Sequence, residues 1–277
     1  RHADMLRESL PAGMRWFGAV MRDVDAALPE RHLGLLQAAE IDDLGARLDR
    51  LADHLERTGA AELPPTVAFP AVAVAEIPPL LAGKRIAIAH DAAYGFLYPA
   101  NVDTLRALGA ELAFFSPLAG EGLPAQCDAV WLPGGYPELH GAALAANAGL
   151  WVGLRAHVAA GKPVLAECGG LMSLLDAIVD KVGVEHAFAG LLPGRAVMQK
   201  RLAALGMQEV DLPGGRLTGH TFHYSRTETP LEPWLRACRP DGGEGEAIYR
   251  RGPITASYVH FWFPSNPVAV AGLFGGG

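Results

Sequence analysis

Cys168 stands where an apolar run, Pro163-Val164-Leu165-Ala166-Glu167, meets Gly169-Gly170 and a second apolar run, Leu171-Met172-Ser173-Leu174-Leu175. Strand, sharp turn and helix in that order make a nucleophile elbow, which lifts a side chain above the edge of a sheet. The free N–H groups and partial positive charge of the helix N-terminus behind it are expected to favour a thiolate. Gly169 and Gly170 bring no Cβ to obstruct a ligand approaching the turn. A thiol nucleophile needs a base, and His260 is the candidate, at the end of the β-like run Ile254-Thr255-Ala256-Ser257-Tyr258-Val259. Base and thiol must meet in space, not in sequence, and a histidine at the tip of a strand near the same sheet edge can do so. The third requirement is a set of donors for a developing oxyanion. Asp128-Ala129-Val130-Trp131-Leu132 runs into Pro133-Gly134-Gly135-Tyr136-Pro137-Glu138, so the Gly134-Gly135 backbone can aim an N–H at that charge, with the Gly169 N–H as its partner. Tyr136 and Gly170, beside these donors, are read as substrate contacts.

Each of these elements alone has an ordinary reading. An isolated cysteine is usually a small buried hydrophobe, a histidine among aromatics a satisfied core group, and a glycine pair after a strand a turn. The conjunction decides otherwise, because three apolar strands each end in a residue type that acyl transfer through a thiol requires. His220 and His223 with Glu228 make a poorer metal site, since residues three apart on a strand face opposite sides. No metal is expected there.

With 277 residues, 50% of them hydrophobic, the chain can bury the core of one large or two moderate domains. A net charge of −7 without a basic run argues against a nucleic-acid or anionic-membrane surface. Glu76, prolines and lysines interrupt the apolar stretches, so no transmembrane span is expected. The spacings of Cys127, Cys168 and Cys238 offer neither a zinc motif nor a disulfide framework, which fits a reducing cytoplasm. Cys127 is read as opening a buried strand and Cys238 as lying in a polar loop, both structural.

The elements that must position these groups follow from the pattern. Strands Arg85–His90, Glu111–Phe115, Ala129–Leu132 and Val164–Glu167 alternate with helices at Asn101–Leu108 and Ala142–Ala160, which predicts an α/β fold with a flavodoxin-like, doubly wound parallel sheet and its site at the strand C-termini. After residue 185 the strands are expected to be irregular and antiparallel. Pro64, Pro65, Pro70, Pro78 and Pro79 mark residues 61–82 as an extended linker, leaving 83–277 as the main domain. Residues 1–60 read as the end of something larger: a helix over His2–Leu10, a short strand over Arg15–Met21, and an amphipathic helix over Glu40–Thr58 whose Ile41, Leu44, Leu48, Leu51 and Leu55 are expected to pack in a core. The first residue, Arg1 rather than Met, is read the same way.

Four ordered motifs carry a family resemblance: Pro133-Gly134-Gly135-Tyr136-Pro137-Glu138, Ala166-Glu167-Cys168-Gly169-Gly170, Gly219-His220-Thr221-Phe222-His223-Tyr224-Ser225 and Ser257-Tyr258-Val259-His260. From about residue 84 onward the chain resembles the glutaminase domain of the cobyrinic or hydrogenobyrinic acid a,c-diamide synthases, class I glutamine amidotransferases of cobalamin biosynthesis. The resemblance implies that Cys168 attacks the side-chain amide of glutamine, forms a glutamyl thioester and releases ammonia, with His260 raising its nucleophilicity. It implies that the ammonia amidates the a and c carboxylates of a corrinoid, metal-free or cobalt-bearing, after activation by ATP with Mg2+. Two departures from the broader class narrow it: Trp262 stands two positions after His260, where a carboxylate is usual, and Met172 stands four after Cys168, where Gln is usual. A Cys–His dyad, oriented by some other group such as a backbone carbonyl, is therefore expected.

The segment Leu28-Pro29-Glu30-Arg31-His32-Leu33-Gly34-Leu35 resembles one near the end of the ATP-dependent synthetase domain of the same family, a P-loop-type α/β domain. No Gly-x-x-x-x-Gly-Lys-Ser/Thr occurs here, so residues 1–60 are read as the C-terminal remnant of that domain and the nucleotide site as largely absent. Tyr94-Gly95-Phe96-Leu97-Tyr98-Pro99 resembles a family segment whose aromatics line the passage toward it, or serve as core. Expected partners are glutamine and, through the synthetase half, the corrinoid; a homodimer stays open. The alternatives are another glutamine-dependent amidotransferase, of the cobyric acid synthase or cell-wall precursor type, a Cys–His peptide hydrolase, or a silent glutaminase-like interaction domain.

Overall fold

A computed structural model describes all residues except 32–33, 37, 64, 71–75 and 276–277. The chain divides into two compact units, 1–74 and 75–277. The first contains α1 (His2–Glu8), the antiparallel pair β1 (Glu30–Arg31) and β2 (Gly34–Leu35), and α2 (Leu44–Glu56). His32 and Leu33, inside the segment compared with a synthetase domain, lie outside the described residues. Arg15–Met21 forms no strand, contrary to expectation. An extended segment needs a neighbour to pair with, and none reaches it among the described residues. The α2 stripe is only partly buried: Ile41 is buried, Leu44 and Leu51 are half-buried, and Leu48 and Leu55 are 52% and 43% exposed. Polar contacts hold the helix as well, Arg50 donating to Asp23 at 2.5 Å and His54 hydrogen-bonding to Asp23 at 2.8 Å.

In the second unit β3 (Arg85–Ala89), β4 (Glu111–Phe115), β5 (Ala129–Leu132), β6 (Val164–Glu167) and β15 (Ile254–Ser257) run parallel in the order β4-β3-β5-β6-β15. That is the flavodoxin-like order, with its reversal at β3. Helices α3 (Pro99–Ala107), α4 (Gly141–Ala146), α5 (Ala148–Ala159), α6 (Gly169–Leu174) and α7 (Pro267–Gly275) accompany it. Ala142–Ala160 was expected as one helix, but Asn147 breaks it and caps α5 by accepting from the Leu150 N–H at 3.1 Å. Antiparallel strands β10 (Ala204–Leu212), β11 (Gly215–His223), β13 (Leu235–Cys238), β14 (Glu244–Arg251) and β16 (His260–Phe261) continue the same sheet beyond β15. A smaller sheet holds β7 (Ala177–Val179), β8 (Glu185–Ala187), β9 (Arg195–Met198) and β12 (Ser225–Glu228). Cys238 thus ends a strand rather than lying in a loop.

The two-residue period of the parallel strands divides the core between the sheet faces. Ile86, Ile88, Trp131 and Leu165 pack with Val102 and Leu105 of α3 and Phe274 of α7; Ala87, Val130, Leu132 and Ala166 pack with Leu154 of α5 and Leu171 of α6. Leu81, within the stretch read as linker, is fully buried, and its N–H donates to the Leu108 carbonyl at 2.8 Å. Among the described residues no helix is long and apolar enough to cross a membrane.

Candidate active site

The four residues of β6 are all buried, and the chain leaves them through Cys168 at φ +48° and ψ −106°. A non-glycine residue holds such a conformation only when its surroundings impose it. Here the Cys168 N–H is anchored to the Ser257 carbonyl of β15 at 2.8 Å, while α6 begins at Gly169. Gly170 supplies the close approach: a Cβ on it would lie 2.0 Å from the Leu132 carbonyl oxygen, so α6 rests directly on the end of β5. That contact faces protein backbone, not an open pocket.

The expected thiolate is not what the site favours. Burial pushes the Cys168 thiol well above its ordinary range, the negative charge of Glu138 adds to the effect, and a hydrogen bond from the Gly169 N–H only opposes it. The helix behind the turn has six residues, and the thiol is 5% exposed, so desolvation outweighs the helix terminus.

The oxyanion candidates meet at the thiol. The position of a Gly169 Cβ would be 3.1 Å from the Gly135 nitrogen, placing the two glycines against each other. Tyr136 donates its N–H to the Ala93 carbonyl at 2.9 Å and sets its ring edge-on to Phe96, with centroids 5.0 Å apart. Among the described residues no backbone carbonyl accepts from the Gly135 N–H.

His260 lies on the other side of the glycine pair. A Cβ on Gly134 would sit 2.2 Å from His260 Cε1, so the imidazole rests on that bare Cα. The ring stacks on His220, its neighbour across β11, with centroids 5.1 Å apart and planes at 18°, and Phe96 flanks it at 6.0 Å. Its buried Nδ1 has no hydrogen-bond partner among the described residues, so no carbonyl there orients it, and packing holds the ring. Trp262 is 43% exposed and stacks edge-on to Tyr98 instead. Burial, followed by the nearby His220 and His223, pushes the His260 pKa down to about 3, so its resting state is neutral. No hydrogen bond joins the Cys168 thiol to His260 Nδ1, and burial favours the neutral form of both groups.

Two buried polar residues, Glu167 and Asn101, and half-buried His220 were not read from the sequence as neighbours of the site. Glu167 accepts from Trp131 Nε1 and from the Phe261 N–H, both at 2.8 Å, and Asn101 donates to the Phe261 carbonyl at 2.7 Å. His220 was read as part of a poor metal site with His223 and Glu228 and as part of the third family motif, not as a neighbour of His260. His223 turns the other way, to Glu246 at 2.9 Å, and stacks on Tyr258 at 3.7 Å.

Comparison with known proteins shows the family. The family model described as a CobB/CobQ-like glutamine amidotransferase domain matches residues 85–268. The chain is 56% identical to the hydrogenobyrinate a,c-diamide synthase of Stutzerimonas stutzeri and 54% identical to that of Pseudomonas aeruginosa, in each case over 99% of its own length. It is 48% identical to the cobyrinate a,c-diamide synthase of Herminiimonas arsenicoxydans over 90% of its length. It spans 64%, 63% and 57% of those three proteins respectively.

Proposed function

Because the chain belongs to the CobB/CobQ-like glutamine amidotransferase domain family, we propose that Cys168 and His260 are its glutaminase dyad and that the ammonia amidates the a and c carboxylates of a corrinoid in the full-length protein. The observation that carries the reading is the strained Cys168 turn, with Gly169 and Gly135 touching beside the thiol and His260 resting on Gly134. The thiol sulphur attacks the side-chain carbonyl carbon of glutamine as His260 takes the thiol proton. The oxyanion is received by the N–H groups of Gly135 and Gly169. His260 then returns the proton to the departing nitrogen, ammonia leaves, and water hydrolyses the thioester to glutamate. Tyr136 borders this space, and Gly170 serves it by holding α6 against β5.

The names of the relatives support a corrinoid acceptor, and the two most similar of those compared support metal-free hydrogenobyrinate over cobyrinate. Activation of a carboxylate requires phosphoryl transfer. The sequence has no P-loop to cradle nucleotide phosphates, so the residues that would hold ATP and Mg2+ are not identified in this chain and no step here passes through them. The test uses the full-length protein with each corrinoid and either glutamine or ammonium salt. Cys168→Ala should lose diamide formation from glutamine and keep it from ammonia. Glutamine-dependent product from that variant contradicts the thioester route.

A further inference from the structure

Glu167 ends β6 immediately before the nucleophile and is 2% exposed. Its two oxygens go in opposite directions: Oε2 to the indole N–H of Trp131 on β5, and Oε1 to the backbone N–H of Phe261 on β16. These strands carry the three parts of the site, since the glycine pair follows β5, the thiol follows β6 and the imidazole opens β16. A carboxyl group without a cationic partner is costly to bury, and an apolar side chain of like volume would fill the space without that penalty. Burial pushes its pKa up to about 8, with the two N–H donors working against the shift.

The strand it reaches needs support. β16 has two residues and pairs with the sheet on one side only, through Gly219–Phe261 and His220–His260. Buried Asn101 holds the same residue by its other backbone group, donating to the Phe261 carbonyl at 2.7 Å, and accepts from the Phe263 N–H at 2.9 Å. Phe261 is thus clamped at both N–H and C=O by buried side chains, one residue beyond an imidazole whose own Nδ1 has no hydrogen-bond partner among the described residues.

We propose that Glu167, with Asn101, is the positioning residue for His260, fixing the backbone of β16 in place of a carboxylate on the ring. The inference rests on the glutaminase reading, and its test separates the two. Glutamate release is measured as kcat and KM in the full-length protein alongside its thermal midpoint. Absence of release by the wild type removes the glutaminase reading itself. Glu167→Gln keeps size and one acceptor but turns an N–H toward one of the two donors, so kcat should fall on the order of 10- to 100-fold with KM little changed, the cost of a small misplacement of the base. Trp131→Phe removes the other donor and leaves the Phe261 bond, so it should cost stability and keep kcat. Asn101→Asp, which loses only the donor to the Phe261 carbonyl, should share the kcat loss of Glu167→Gln and serves as the test should that variant not fold. Wild-type kcat in Glu167→Gln or, in its stead, in Asn101→Asp overturns the proposal. So do losses of kcat that merely track the loss of stability across the three variants.

Discussion

Gly134→Ala puts the packing of His260 to the test. The added Cβ would stand 2.2 Å from Cε1, 2.9 Å from Nδ1 and 3.3 Å from Nε2, whereas ordinary contact begins near 3.4 Å. The ring must then retreat by about 1.2 Å. It has no free direction, because His220 stacks on it and Phe96 flanks it. Nor can Gly134 withdraw cheaply, since its carbonyl accepts from the Phe96 N–H at 3.0 Å. The displacement therefore falls on the base itself. Misplacing a reacting group by ~1 Å costs about 10²-fold, and losing a general base costs ~10²–10⁴-fold. Gly134→Ala should accordingly lower kcat by at least about 10²-fold, or roughly 2.7 kcal/mol of barrier, and by no more than His260→Ala does. The assay is glutamate release by the full-length protein and both variants, with circular dichroism confirming the fold. A folded Gly134→Ala protein with kcat within about threefold of wild type would mean that the imidazole is not held where the glycine places it.

Gly170→Ala meets backbone rather than a side chain, so its effect should be on stability: about 1–3 kcal/mol for overpacking, read as a fall in thermal midpoint of roughly 2–4 °C per kcal/mol for a unit of this size. An unchanged midpoint contradicts the α6–β5 contact. A short iodoacetamide pulse at neutral pH should label exposed Cys238 before buried, protonated Cys168, as mapped by peptide mass spectrometry. Preferential labelling of Cys168 in the free protein would show a resident thiolate. Because a base works in its neutral form and His260 is pushed down to about 3, falling pH should not protonate it across the range where an ordinary imidazole titrates. An isotope-labelled His260 ring that titrates near pH ~6.5 would refute the burial argument.

The residues proposed as nucleophile and base, and both glycine pairs, stand out in the sequence because each sits at the end of an apolar run, and that signal is local. Glu167 was hidden by the same locality: it reads as the last residue of a strand, and its partners Trp131 and Phe261 are neighbours only after the sheet has formed. The parallel half of the sheet followed from alternating strands and helices, but the stacking of His220 on His260 depends on the β11–β16 register, which no periodicity encodes. Expectations failed where an element was judged without its surroundings. Arg15–Met21 has strand character and no strand beside it among the described residues, the α2 stripe has helical spacing but leaves Leu48 and Leu55 exposed, and the thiol lies at a helix N-terminus yet burial favours its protonated form.

The pairing of β6 with β15 also sets an order of events during synthesis. Val164–Glu167 finds its second neighbour only when Ile254–Ser257 has been made, and the Cys168 N–H finds its acceptor in that same late strand. Until then β6 is an unprotected edge, apolar on both faces, and contacts so distant in sequence close slowly. Under the proposed reading, a chain that has not yet reached Ile254 carries the thiol without the carbonyl that anchors its turn and without the His260 imidazole. Such a chain would have no complete site for premature glutamine hydrolysis, while the cost is a stretch of translation in which it is open to edge-to-edge aggregation.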